Sequence, residues 1–328
     1  MTQQPHEIVW ALTNAVVASR SLHVAAELGV ADHIDQEPVS IKELATMCEV
    51  DPGGLDRVLR LLATYGIFES RDEGYEHTAA SRLLRSDHPM SMRAFPRMMG
   101  LPSIVAMFDQ LDHSVRTGEP AAGLIDPGGV WAYLQKHSDE ADIFGQAMTA
   151  KAAGDTAAVV AAYDFGRVNT IADIGGGRGH LLRAILDSVP TAEGILFDLP
   201  SVIERLELDR DRLTVRAGDF FVDPLPTADV YILMEVIHDW PDAEATAILS
   251  AIHRAASPGA RVLIIENVLE DPKSDQRGHT LDVIMLCVTG GRERTSEQFV
   301  ELLEDAGFVN TTVIGTAGPM RIVEAIAA

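Results

Sequence analysis

Apolar residues follow two different rhythms along this chain. From residue 7 to about 165 they recur at helical spacing. "EIVWALTNAVVASRSLHVAAELGVADHI", residues 7–34, predicts one helix that stops near Gly29. "SIKELATMCEVDPGGLDRVLRLLATYG" follows, with a capping box at Ser40 and Glu43 and two short amphipathic helices broken by Pro52-Gly53-Gly54. "GIFES" and "GYEHT", joined by "RDE", predict a small hairpin, which completes a winged-helix pattern.

Beyond residue 165 short apolar runs replace the helical rhythm. The predicted strands are "TIADI", "GILFDL", "LTVRAG", "DVYILME", "RVLIIENVL", "TTVIGT" and "RIVEAIA". Helical segments are expected between the first five. This alternation predicts an α/β, doubly wound parallel sheet with its ligand at the carboxyl ends of the strands. Three regions follow: a winged-helix-like module over 1–95, a helical connector over 96–165, and a ligand-binding α/β domain over 166–328.

Composition narrows the function. The 328 residues are 47% hydrophobic, so the chain folds as a globular protein. A net charge of −23 disfavours nucleic acid or anionic lipid as a partner of the overall field. Within residues 1–95 acids outnumber bases, so the winged helix reads as a packing and dimerisation module. Cys48 and Cys287 stand far apart without metal-ligand spacing, which predicts neither a disulfide scaffold nor a metal site. The start has no signal-peptide pattern and no run of about 18 apolar residues occurs. The expectation is a cytoplasmic protein without a membrane span.

The candidate chemistry begins at "IADIGGGRGHLL". Gly175, Gly177 and Gly179 are spaced two apart, so the third glycine comes one residue early for a dinucleotide fingerprint. No Lys-Ser/Thr follows, which excludes a P-loop. Asp173, just ahead of the turn, would repel a pyrophosphate and suit a cationic ligand. S-adenosylmethionine (SAM) carries an ammonium and a sulfonium and no phosphate, and the helix start can take its carboxylate. Asp198 in "FDLP" ends the second of these strands and can accept from ribose hydroxyls. Asp219 in "AGDFF" ends the third and can accept from an adenine amino group, with Phe220 covering the ring face. His238 in "EVIHDWPD" follows the fourth strand, Glu266 ends the fifth, and Glu293 lies in a loop before a helix capped by Thr295 or Ser296.

"ADIGGGRGH", "FDLP", "AGDFF-DPLP", "HDWPD" and "GGRERT" occur in this order. The set resembles the plant-type small-molecule O-methyltransferases and their bacterial secondary-metabolite branch. The resemblance is strong over about 130–328 and one of pattern before that. It implies a class I methyltransferase fold, SAM as cofactor without a metal, a small aromatic substrate, and a homodimer through the N-terminal helices. It implies His238 as general base, with Glu266 and Glu293 orienting the imidazole. Gly175, Gly177, Asp198, Leu199, Asp219, Phe220 and Met234 then join Asp173 as cofactor contacts. Met234 stands where plant members commonly have Lys. Phe144, Met148, Met285 and Asp239 are the implied substrate contacts. Met98, Met99 and Met107 read as ordinary helix core.

The reading from sequence is therefore methyl transfer to a phenolic or enolic hydroxyl. Two alternatives stay open: a SAM-binding enzyme of the same fold with hydroxylating or decarboxylating chemistry, and a SAM-sensing regulator. The retained His238, Glu266 and Glu293 favour the first reading over the former. The acidic N-terminal half disfavours the latter. A nicotinamide dehydrogenase is disfavoured by Asp173 and the early third glycine.

Overall fold

The computed structural model describes residues 4–204, 206, 211–270 and 275–328. The chain forms two compact units: residues 4–105 with Ser138–Lys151, and Ala106–His137 with Ala152–Ala328. Residues 96–165, expected as one connector, are shared between them, and the helix Ser138–Ala162 runs from one into the other.

In the first unit the expected long helix is two, Pro5–Thr13 and Ala15–Glu27. They are separated at Asn14, whose side-chain amide donates to the Trp10 carbonyl. Such local side-chain bonding competes with helix continuation. Gly29 ends the second helix in a left-handed conformation, as glycine allows. The capping box at Ser40 and Glu43 forms on the helix Ile41–Met47. Pro52-Gly53-Gly54 does not separate helices: Pro52 opens the helix Pro52–Thr64, with the Asp51 carboxylate capping Gly54. Proline suits that position because a first-turn N–H has no helical partner anyway. The hairpin is β1 (Phe68–Arg71) paired antiparallel with β2 (Gly74–His77). Ile34, Leu44, Leu59, Leu62 and Phe68 form the core beneath it. The first helix is uncovered all round, with none of its residues buried: Trp10 is 70% and Leu12 77% exposed, and Ile8, Val9, Val16 and Val17 are also exposed. By length and mean hydropathy Pro5–Glu27 is apolar enough to cross a membrane. It holds no unbroken run of apolar residues, because Glu7, Asn14 and Arg20 interrupt it.

The second unit holds a seven-stranded sheet. Its strands are β3 (Thr170–Ile174), β4 (Glu193–Asp198), β5 (Leu213–Ala217), β6 (Val230–Met234), β7 (Arg261–Asn267), β8 (Phe308–Gly315) and β9 (Met320–Ala327). The order is β5-β4-β3-β6-β7-β9-β8. The first five are parallel, and β9 joins antiparallel to β7 and β8. Every predicted strand is present. Both faces are buried, so side chains alternate between two cores. Ala172, Ile174, Leu233 and Ile264 pack toward Asp242–Ala255 and Ser296–Asp305. Ile171, Leu196, Ile232 and Ile265 pack toward His180–Ser188. Burial on both sides explains why these strands read as continuous apolar runs.

One expected helix does not form. Between β5 and β6 residues 218–229 are irregular, because Pro224 and Pro226 lack the N–H that a helix interior needs. The order reverses beside β3: β4 lies to one side and β6 to the other. That is the switch point at which a doubly wound sheet opens its ligand crevice.

Candidate active site

The glycine turn leaves β3 at this switch point. Gly175, Gly177 and Gly179 all have left-handed φ values, 69°, 58° and 69°, which a side chain would strain. At Gly176 an added Cβ would come within 2.4 Å of the Asp173 carboxyl carbon. Asp173 thus lies directly under the turn, 2% exposed, and accepts from the backbone of Leu182. The sequence placed it beside the ligand; the structure places it beneath the loop that would carry the ligand. Burial, and then the charge of Asp198, raise its pKa to about 8.

Asp198 ends β4. Its Oδ2 accepts the Gly177 N–H at 2.7 Å and its Oδ1 accepts the Leu199 N–H at 2.7 Å. Gly177 and Leu199 therefore orient Asp198 through their backbones. Burial raises the Asp198 pKa, and these two bonds oppose the rise. Each carboxylate oxygen keeps a lone pair for a hydroxyl donor. Asp219 follows β5, and its Oδ1 accepts the Phe221 N–H at 2.9 Å. The Phe220 ring reaches the turn: a Cβ on Gly175 would stand 3.8 Å from its Cε1. Phe220 and Phe221 also meet Trp240 edge-on, at centroid distances of 5.8 and 4.7 Å. Met234 is half-buried at the end of β6. An acid-lined crevice with open space at Gly177 fits a cationic nucleoside.

After β6 the chain turns sharply. Glu235 holds a left-handed φ of 54°, rare for a residue with a side chain and frequent near functional sites. The turn Ile237–Asp239 then presents His238, which is 4% exposed. His238 Nδ1 lies 2.8 Å from Glu293 Oε1. Glu266 was expected to orient the ring as well. Instead its Oε1 accepts the His238 backbone N–H at 3.0 Å, so it holds the main chain and reaches the ring by charge alone. Among the described residues Glu266 Oε2 and Glu293 Oε2 have no hydrogen-bond partner. Asp239 Oδ1 stands 3.8 Å from His238 Nε2, the nitrogen turned away from Glu293.

Electrostatics here pull in opposite directions. Burial pushes the His238 imidazole down, but the bond to Glu293 and the charges of Asp239, Glu266 and Glu293 outweigh it and hold its pKa at about 10. Burial raises Glu266 to about 7, opposed by the charges of His238 and Arg294. The carboxylates around the ring thus favour the imidazolium form of His238.

Met285, on the helix Gln276–Val288, is buried, with the Thr289 hydroxyl 3.7 Å from its sulfur. Phe144 and Met148 lie one turn apart in the first unit and are half-buried. Sequence reasoning missed three residues of the site. Asp282 accepts the Glu293 N–H at 2.9 Å. His180 opens the helix after the glycine turn, and its two ring nitrogens have no partner among the described residues. Arg294 is fully buried beside the His238 turn. Only its place in "GGRERT" drew attention to that segment, and a charged side chain gives no sign of burial from sequence.

Residues 108–309 match the O-methyltransferase domain, and residues 10–87 match the O-methyltransferase dimerisation domain. The chain belongs to the O-methyltransferase family. This O-methyltransferase is 40% identical to the phenazine O-methyltransferase of Lysobacter antibioticus, over 94% of its own length and 92% of the relative's. It is 35% identical to the mitomycin biosynthesis 6-O-methyltransferase of Streptomyces lavendulae, over 93% and 90%. The crystal structure of human N-acetylserotonin methyltransferase in complex with SAM superimposes with a TM-score of 0.92 at 26% identity, over 100% of this chain and 99% of that one. The enzyme is a small-molecule methyltransferase that uses SAM. Its dimerisation domain, which takes in most of the exposed apolar helix pair, supports a homodimer.

Proposed function

We propose that this O-methyltransferase methylates a phenolic or enolic hydroxyl of a small aromatic metabolite, with His238 as the proton acceptor. The observation that carries this reading is the bond from His238 Nδ1 to the buried Glu293, which leaves Nε2 for a substrate hydroxyl. Bound SAM supplies an electrophilic methyl group and leaves as S-adenosylhomocysteine. Asp198 and Asp219 would accept from its ribose and adenine, Phe220 would cover the base, and Gly175, Gly177, Leu199 and Met234 would line its site. Asp173 supports the glycine turn from beneath.

The chain's own work is to place a hydroxyl and remove its proton. A phenol has a pKa near ~10, so roughly one molecule in ~1000 is ionised at pH 7. Supplying the oxyanion is worth up to about 4 kcal/mol, and holding nucleophile and donor together about 7–11 kcal/mol. Raised to about 10, the free imidazole is a much stronger base than ordinary histidine and suits removal of a proton from such a phenol. The imidazolium must first lose its own proton, so turnover should rise with pH. Asp239 and Met285, which share the unit with His238, are substrate contacts in this reading. Phe144 and Met148 are substrate candidates on the resemblance alone. The protein works as a cytoplasmic homodimer, with Pro5–Glu27 as a dimer face rather than a membrane span.

The test is methyl transfer from deuterium-labelled SAM to a panel of phenols, flavonoids, anthraquinones and phenazines, with aromatic amines alongside. Labelled oxygen-methyl product supports the reading. Label on nitrogen alone, or SAM consumption with hydroxylated or decarboxylated product, would contradict it.

A further inference from the structure

Arg294 is 0% exposed and contacts the turn that carries His238 from several sides. Its Nη1 donates to the Ile237 carbonyl at 3.0 Å, and its Nη2 donates to the Trp240 carbonyl at 2.7 Å. These carbonyls bracket His238. Nε and Nη2 both donate to Asp242 Oδ1, at 3.0 and 2.7 Å. The neighbouring backbone completes the join. The Arg292 N–H donates to the His238 carbonyl at 2.8 Å. Gly291 packs so closely that a Cβ there would come within 2.0 Å of the same carbonyl oxygen.

Glu293 lies between Arg292 and Arg294 on this joined segment. The 2.8 Å bond between Glu293 and His238 therefore depends on two loops held in register. We propose that Arg294 is the positioning residue that fixes this register, clamping the His238 turn onto the Glu293 segment so that Nε2 is aimed at the substrate hydroxyl. The inference rests on the reading of His238 as proton acceptor.

The guanidinium suits the task because its donors form a rigid planar fork, whereas a lysine ammonium offers three donors from a single atom. Lysine at 294 keeps the charge and loses the register. The charges around His238 are those of half-buried Asp239 and of buried Glu266, Glu293 and Arg294, so a charge-preserving substitution leaves their balance in place.

The experiment is a double-substitution cycle on the full-length enzyme, using Arg294→Lys, His238→Gln and the pair. kcat, KM and SAM affinity are measured for each, with the melting temperature as a control for folding. Arg294→Lys should lower kcat about 10–100-fold, the scale of a ~1 Å misplacement, with SAM affinity within about twofold. In the His238→Gln background the same substitution should cost less than about threefold, because residues acting as a unit are not additive. Equal penalties in both backgrounds, with His238→Gln itself costly, would overturn this inference alone. A harmless His238→Gln would overturn the proton-acceptor reading and the inference together. Asp242→Ala removes the exposed acceptor of the same guanidinium without disturbing buried packing. It carries the cycle if Arg294→Lys fails to fold, and additivity there would equally overturn the proposal.

Discussion

Glu293→Gln removes one charge and almost no volume. In the native site His238 Nδ1 and Glu293 Oε1 are 2.8 Å apart, with both side chains nearly inaccessible to water. A hydrogen bond to a charged group contributes about 1.5–3 kcal/mol, and 1.36 kcal/mol corresponds to one pKa unit. The substitution should lower the His238 pKa from about 10 by about one to two units. Glu293 also raises the pKa of Glu266. Its removal leaves Glu266 more fully charged, which returns part of the lost hold on the imidazolium and keeps the shift toward the smaller figure. Two effects then oppose each other. More of the imidazole is free to accept a proton near neutrality, while a looser and less basic ring lowers the plateau by about 10–100-fold. The assay is kcat/KM against pH, which reports the free enzyme, with one phenol for both proteins so that its own ionisation cancels in the ratio. The ratio of native to variant should be about 1–10 at pH 7 and grow about fivefold by pH 10, to about 5–50. A ratio that stays constant with pH would refute the reasoning, since it would mean that Glu293 does not set the ionisation of His238.

Other consequences follow from the same geometry. Asp198→Asn should weaken SAM binding about 10–100-fold by calorimetry, from the loss of a charged acceptor, while kcat at saturating SAM changes less than about threefold. Asp173 has a folded pKa of about 8, raised above its ordinary 3.8. Its contribution to stability is therefore complete below about 4 and is lost as pH rises through 8. Asp173→Asn should accordingly gain melting temperature over the native protein between pH 5 and pH 9; a difference that does not change with pH would contradict this. Trp10→Ser with Leu12→Ser should shift the enzyme from dimer toward monomer in light scattering, because both are large apolar side chains exposed on a helix that buries none of its residues. An unchanged mass would place the dimer contact elsewhere.

The sheet was legible because its strands are buried on both faces, and such strands show up as unbroken apolar runs such as "ILFD" and "VLIIEN". The glycine turn and the strand-end acids were legible for a similar reason: each sits at a position that the strand ends define. What stayed hidden depended on tertiary contacts. Nothing in the sequence distinguished Glu266, which holds a backbone N–H, from Glu293, which holds the ring. Asp173 was expected beside the ligand because a strand-end carboxylate commonly is; only the close packing of Gly176 shows that it lies beneath the turn. The burial of Arg294 depends on acceptors, the Ile237 and Trp240 carbonyls, that the fold brings to it from more than fifty residues away. The helix expected before β6 failed for a reason that was on view, the prolines at 224 and 226.

The central claim is that His238 takes the proton of the substrate hydroxyl. Its most direct test compares native enzyme with His238→Gln on two phenols of similar shape, one with a pKa near ~10 and one acidified to about 7. With both assayed at pH 8, the account predicts a penalty of about 10²–10⁴-fold on the weaker acid. On the acidified phenol, already ionised, the penalty should be at least tenfold smaller. Equal penalties on the two phenols would contradict the account and leave His238 a residue that positions the substrate without accepting its proton.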